Sequence, residues 1–246
     1  MNAIKDCDGL FMRTILKDLS PNTQQMVDNH RYIHAGTIDE ANEILNTIEG
    51  EGVTKITLEE LKDGAITTEN FVNCACATMT RRSKQVQLNS RGRGITIKRN
   101  VVFSSDMLKR AEFLERLQLT DVESVIVIFE KGLSRDKVWT LGVIDLHHHN
   151  FKFYNFYSDE FESQALNCIK AVCNYLGTVT QYSEGWEGER GCYYFPKLDE
   201  EADSGLICAH LAYFIVFDVP LYVDIENLPK HQSNWTSWLL DEYLPI

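Results

Sequence analysis

The sequence predicts an α+β fold: a mixed central sheet of about five strands with helices on both sides. Three observations carry that expectation. Helical periodicity dominates the first part of the chain and returns at its end. The middle is a run of segments rich in β-branched and aromatic residues, and one helical segment interrupts that run. With 246 residues, 44% of them hydrophobic, the chain can bury one sizeable core with an appended element.

Residues 1–54 read as a helical N-terminal extension, with the main domain spanning 55–246. Within the extension, TIDEANEILNTIEGEG offers Thr37 as a cap. Ile38, Ala41, Ile44, Leu45 and Ile48 follow at helical spacing, and glycine stops the run. A second helix covers TTENFVNCACATMTRR, capped by Thr67 or Thr68. A third covers SSDMLKRAEFLERLQL, capped by Ser104 or Ser105. The period then changes: ESVIVIFEKG, KVWTLGVIDL and NFKFYNFYS are strands. A long helix runs from Asp159 to Tyr175, and TVTQYSE and GCYYFPKL read as two more strands. A helix beginning near Ser204 and an amphipathic helix around SNWTSWLLDEYL close the chain.

Composition narrows the function. No run of about 18 apolar residues exists to cross a membrane, and acids interrupt the N-terminus before any signal-peptide core forms. Seven cysteines without an export signal read as free thiols of a reducing compartment, nuclear or cytoplasmic. They lack paired C-x-x-C spacing, so no metal site and no cofactor is expected. The net charge is −12, yet Ala77 to Asn100 contains seven cations and no acid, which leaves −19 on the rest. That stretch reads as a solvated loop or hairpin. Its functional alternative is a patch over residues 81–99, with Arg91 and Arg93, for an acidic partner or nucleic acid. It has no aromatic residue for base stacking, and the acidic remainder would repel a phosphate backbone.

The stretch EEADSGLICAH sets a small polar turn against an apolar helix, so Ser204 is either a nucleophile or a helix cap. Cys208, one helical turn deeper, reads as a core thiol, His210 as structural, and His147, His148 and His149 as an exposed turn between two strands. Cys74 and Cys76, spaced C-x-C on a helix, point to different sides.

The segment VWTLGVIDLHHHNFKFYNFYS, followed by a helix and then DSGLICAHL, resembles the ubiquitin-like-protein-specific cysteine proteases, the SUMO- and NEDD8-deconjugating enzymes. Their pattern is H-W-x-L-x-V-I-D-L, a turn, Y-D-S, and later Q-x-N-x-x-D-C-G-x-x-x-C. Upstream, LEELKDGAITTENFVNCACATM is similar to their L-x-x-x-x-W-L-N-D-x-x-I-x-x-Y. The resemblance spans about Lys55 to Trp238 and implies a papain-like, adenain-like architecture. In that family a cysteine attacks the isopeptide, a histidine takes its proton, an aspartate orients the histidine and a glutamine donates to the oxyanion.

Carried over residue by residue, the resemblance puts Ser204 at the nucleophile's position, Val138 at the base, Asn155 at the orienting acid and Leu198 at the oxyanion donor. The tryptophan and aspartate of the upstream motif fall on Ala65 and Thr68, and only Trp139 matches among residues that would clamp a di-glycine tail. Valine accepts no proton and leucine donates no hydrogen bond. Loss of a triad costs about a million-fold in rate in one serine protease. The expectation is a pseudoprotease acting through protein partners as a scaffold or complex subunit, with no catalytic residue. Trp235, Trp238 and Tyr243 on the final helix are candidate interface residues, with core packing the expected role of at least one tryptophan, and residues 1–54 are another candidate contact region. The alternatives are an active isopeptidase with a rearranged site, or a binder acting through residues 81–99.

Overall fold

The computed structural model describes residues 44–48, 51–54, 57–58, 61, 68–94, 99–109, 119, 121–131, 138–154, 166–167, 169–176, 186–190, 204–219 and 228–241. Its centre is a five-stranded sheet in the order β3-β4-β5-β6-β7. These strands are Arg99–Ser104, Val122–Lys131, Val138–Asp145, Asn150–Tyr154 and Glu187–Arg190. The outer pairs β3·β4 and β6·β7 are parallel and the inner pairs are antiparallel, so the sheet is mixed as the sequence predicts. The three central strands are the three apolar runs read from the sequence. The edge strands are not among the predicted ones. β7, EGER, has no apolar side chain and pairs through its backbone, while β3 opens on Arg99 and Asn100 between a basic run and a helix signal. The predicted strands TVTQYSE and GCYYFPKL, like most of the helix from Asp159, lie outside the described residues. The end of that helix is seen at residues 166–167 and 169–176.

Successive residues Val125 to Phe129 of β4 are all buried, so both faces of the sheet are covered. On one face Val127, Gly142 and Phe153 lie in register. A Cβ on Gly142 would stand 2.7 Å from Cδ1 of Ile169, so the helical segment at 169–176 packs directly onto this glycine. Helix α1 (Glu69–Gly92) runs along the outer edge of β3. Ser83 Oγ accepts the Asn100 N–H at 2.9 Å. Thr80 Oγ1 accepts the Val102 N–H at 2.8 Å and donates to the Val102 carbonyl at 2.9 Å. Helix side chains thus occupy the backbone groups of an edge strand, which closes it to further pairing.

Helix α1 corrects the expected loop over the basic stretch. From Glu69 to Arg91 there is no glycine or proline, and Ala, Met, Lys, Gln, Leu and Arg favour the helix. It stops at Gly92-Arg93-Gly94, where Gly94 has φ +75°. Thr68 caps its start, its Oγ1 accepting the Phe71 N–H at 3.5 Å, as the sequence predicts. Ser104 Oγ likewise accepts the Met107 N–H at 3.1 Å. The described start of the third predicted helix is a 3-10 turn, Met107–Lys109.

The extension needs a second correction. Residues Ile44–Ile48 (β1) and Glu51–Thr54 (β2) form an antiparallel hairpin rather than a helix. Ile44, Thr47, Ile48, Val53 and Thr54 are β-branched, and Gly50 and Gly52 disfavour helix. Val53 is fully buried in the common core, and Asn70 Nδ2 donates to the Gly52 carbonyl at 3.2 Å. At β2, therefore, the expected boundary at residue 54 does not separate two packing units.

Two further helices complete the described fold. Helix α2 (Ser204–Val216) is apolar all round and lies against β5 and β4. Helix α3 (Leu228–Asp241) packs on α1 and α2. No helix among the described residues is long and apolar enough to cross a membrane.

Candidate functional site

The start of α2 meets the start of β5. Pairing of β6 with β5 ends at Leu141↔Tyr154. Two residues earlier on β5, the Trp139 N–H donates instead to Ser204 Oγ at 3.0 Å. Ser204 is 3% exposed and is the first residue of α2. At the other end of α2, Asn100 Nδ2 donates to the Val216 carbonyl at 2.9 Å, so the helix spans the sheet from the start of β5 to the start of β3. Ser204 is thus the first helical residue, and its hydroxyl bonds β5 from the helix start where the sequence expects a cap. Asp203, the other proposed cap, lies outside the described residues.

Val138 is half-buried immediately before Trp139, and pairs with Lys131 on β4. The Ser204 hydroxyl thus bonds the amide of the residue that follows Val138. Asn155, Leu198, Ala65 and Tyr243 lie outside the described residues. Trp139 is 1% exposed, and its indole N–H meets no acceptor among the described residues. Sequence reading placed Ser204 beside β5 but did not identify the Trp139 backbone as its partner; a strand N–H leaves no signature in residue type.

Within the described residues, the Ser204 hydroxyl ties α2 to β5. A hydroxyl nucleophile needs a base within hydrogen-bond reach and an open approach for the carbonyl. Here the Ser204 oxygen accepts an amide N–H, is 3% exposed, and has the aliphatic Val138 beside that amide.

Four of the seven cysteines lie among the described residues. Cys74, Cys76, Cys173 and Cys208 are buried. Burial, reinforced by Glu51 and Cys74, holds the Cys76 thiol well above its ordinary value. Burial alone pushes Cys173 up to about 12. A thiol held protonated is inert as nucleophile and ligand. His210 is buried among aromatic rings, with Phe214 at 4.7 Å and the Trp238 ring parallel to it at 6.3 Å, which fits the structural reading.

The three histidines form the expected turn, with His147 and His148 exposed and His149 at φ +54°. Asp145 organises it. Its carboxylate accepts the His147 and His148 N–H groups at 2.8 and 2.9 Å and contacts His148 Nδ1 at 2.8 Å. Partial burial pushes the Asp145 carboxyl up, but these bonds outweigh it and hold the group below its ordinary value.

Two candidate surfaces change character. Trp235 and Trp238 are 0% and 1% exposed, so they are core residues and not an interface. Their rings meet at 5.0 Å, and Phe71 of α1 meets Trp235 edge-on at 5.7 Å. Amphipathicity placed both on one face, and that face is turned inward. Arg91 and Arg93 are exposed at the end of α1, Arg91 paired with Asp121 at 2.6 Å.

No protein-family model matches the sequence, and no curated protein matches it. Solved structures do. The SUMO protease Ulp1 with its catalytic cysteine oxidised to a sulfenic acid superposes with a TM-score of 0.66 at 12% identity, covering 91% of this chain and 96% of that one. The C-terminal Ulp1 protease domain in complex with Smt3, the yeast ortholog of SUMO, gives the same values. The Ulp1-like SUMO protease catalytic domain of Chaetomium thermophilum reaches 0.59 at 17% identity, covering 91% and 90%. The chain has a SUMO-protease-like, α+β fold.

Proposed function

We propose that this chain is a pseudoprotease: a SUMO-protease-like fold that serves as a non-catalytic protein-interaction subunit or scaffold of the nucleus or cytoplasm. One observation carries the reading. The Ser204 hydroxyl, at the start of the buried helix, is closed to solvent and holds the Trp139 N–H at 3.0 Å, with Val138 alongside. Isopeptide cleavage needs an activated nucleophile, a base to take its proton and donors aimed at the oxyanion. Valine has no lone pair, Asn155 has no charge to stabilise an imidazolium, and Leu198 has no donor. The four replacements act in the same direction, so no single reversal restores the chemistry.

The same residues argue about partners. The Ulp1 domain binds Smt3, but here Ala65 replaces a clamp tryptophan, Thr68 caps α1, and Trp139 is enclosed. A ubiquitin-like tail has little to grip, so the partner is a protein engaged at another surface.

A SUMO or NEDD8 modifier bearing an electrophile at its C-terminus tests the loss of catalysis. Intact-mass analysis is expected to show no adduct on the wild-type chain. An adduct that disappears in Ser204→Ala or Cys208→Ala would establish the rearranged isopeptidase instead. Affinity purification with mass spectrometry tests the scaffold role. A stoichiometric protein partner is expected, and recovery of the monomer alone counts against it.

A further inference from the structure

The last three turns of α1 bind the sheet on one face and meet solvent on the other. Asn73 donates to Asp106 at 3.0 Å near the end of β3, and Ser83 meets Asn100 near its beginning. Beyond that point α1 runs on past the strand. Its inner face is held there by Gln87, which donates to the Asp121 carbonyl at 3.4 Å, and the exposed Arg91–Asp121 pair at 2.6 Å lies at the rim between inner and outer faces. The outer face is left to solvent.

At the centre of that face stands Leu88, 53% exposed and the one exposed large hydrophobic residue among those described. Around it, at helical spacing, are Lys84 four residues earlier, Arg81 seven earlier and Arg91 three later, with Arg93 at the cap. No acid occurs on this helix after Glu69, nor anywhere from Ala77 to Asn100, in a chain of net charge −12. Random scatter of 36 acids and 24 bases would not clear this stretch of acids while filling it with seven cations. Asp121 does not cancel the patch. It holds Arg91 in place, which reduces the side-chain entropy lost when a second carboxylate arrives.

We propose that this face of α1 docks an acidic amphipathic helix of a partner protein, with Leu88 as the apolar anchor and Lys84, Arg91 and Arg93 facing its carboxylates. Charge complementarity selects an acidic ligand. The exposed leucine at its centre selects a protein segment over nucleic acid, because a phosphate backbone has no use for an aliphatic anchor and the patch has no ring on which to stack a base. The −19 carried by the rest of the chain opposes a long polyanion more than a short segment. The surface lies at the end of the sheet opposite Ser204. Strand β4 separates them by ten residues, roughly 30 Å at ~3.3 Å each. The proposal therefore holds whether or not the start of α2 has lost its chemistry.

Fluorescence anisotropy on the full chain tests it with three labelled probes of about 20 units: a helical peptide with glutamates flanking leucines on one face, the same peptide with lysine for glutamate, and a single-stranded DNA. The acidic peptide is expected to bind, the lysine peptide not to bind. Leu88→Glu and the pair Lys84→Glu, Arg93→Glu are each expected to weaken binding at least tenfold. Binding should also fall between about 0.05 and 0.3 M salt, as the screening length shortens. These positions are exposed, so the variants should keep the wild-type circular dichroism. Equal binding of both peptides, indifference to Leu88→Glu, or tighter binding of DNA than of the acidic peptide would each overturn the proposal.

Discussion

Ser204→Ala separates a structural tie from a nucleophile. The substitution removes one oxygen atom at a site that is 3% exposed and leaves the Trp139 N–H facing a methyl group. A buried amide without an acceptor costs about 1–3 kcal/mol. Alanine is the better helix former by up to about 0.5 kcal/mol, so the measured loss is a lower bound on the tie. For a chain of this size each kcal/mol moves the melting temperature by about 2–4 °C. The expected fall is therefore about 2–12 °C, with a matching drop in the urea midpoint and an unchanged m-value. Far-UV circular dichroism gives the transition, and a fluorogenic SUMO-tail substrate run beside it gives turnover. If Ser204→Ala melts like the wild type and abolishes a measurable hydrolysis, the hydroxyl is a nucleophile and the reasoning fails.

Thr80→Val keeps the shape of the side chain but removes both bonds to Val102, so it is expected to destabilise by about 1–3 kcal/mol and to raise aggregation through the bared edge of β3, measured by urea unfolding and light scattering. Gly142→Ala drives a methyl to within 2.7 Å of Ile169 Cδ1 and should cost about 1–3 kcal/mol; Ile169→Val, which deletes that carbon, should recover part of it, and a double-mutant cycle reads the coupling. Trp235→Ala should lose about 3–5 kcal/mol or fail to fold, whereas an interface tryptophan would leave the melting temperature unchanged. Asp145 has a folded-state pKa below its unfolded value near ~3.9, so its contribution is present above that value and disappears as pH falls through the folded one. Asp145→Asn should accordingly flatten the stability profile below about pH 4 and show its full deficit at neutral pH, which unfolding at a series of pH values measures.

The sequence by itself determined the middle of this protein. Strands β4, β5 and β6 were legible because a strand buried on both faces, or on alternate residues, must carry β-branched and aromatic side chains wherever it meets a layer. Helix α2 was legible because thirteen residues, almost all apolar, can only be interior. The caps at Thr68 and Ser104 were legible because local amides need a nearby oxygen. Beyond these, the family resemblance, and not periodicity, brought Ser204 next to β5.

The tertiary structure decided the rest. The edge strands β3 and β7 and the paired strands β1 and β2 are held by backbone pairing, which constrains side-chain type weakly. The same apolar spacing that suggested a helix at Ile44 and Ile48 serves a strand once Val53 finds the core beside α1. An amphipathic face says that Trp235 and Trp238 lie together, but only packing against Phe71 and His210 says that they lie inside. Ser204 shows the division most plainly. Residue type permits a hydroxyl to attack, to cap or to tie, and the bond it makes goes to one strand amide, sixty-five residues away in the chain, that no side chain encodes.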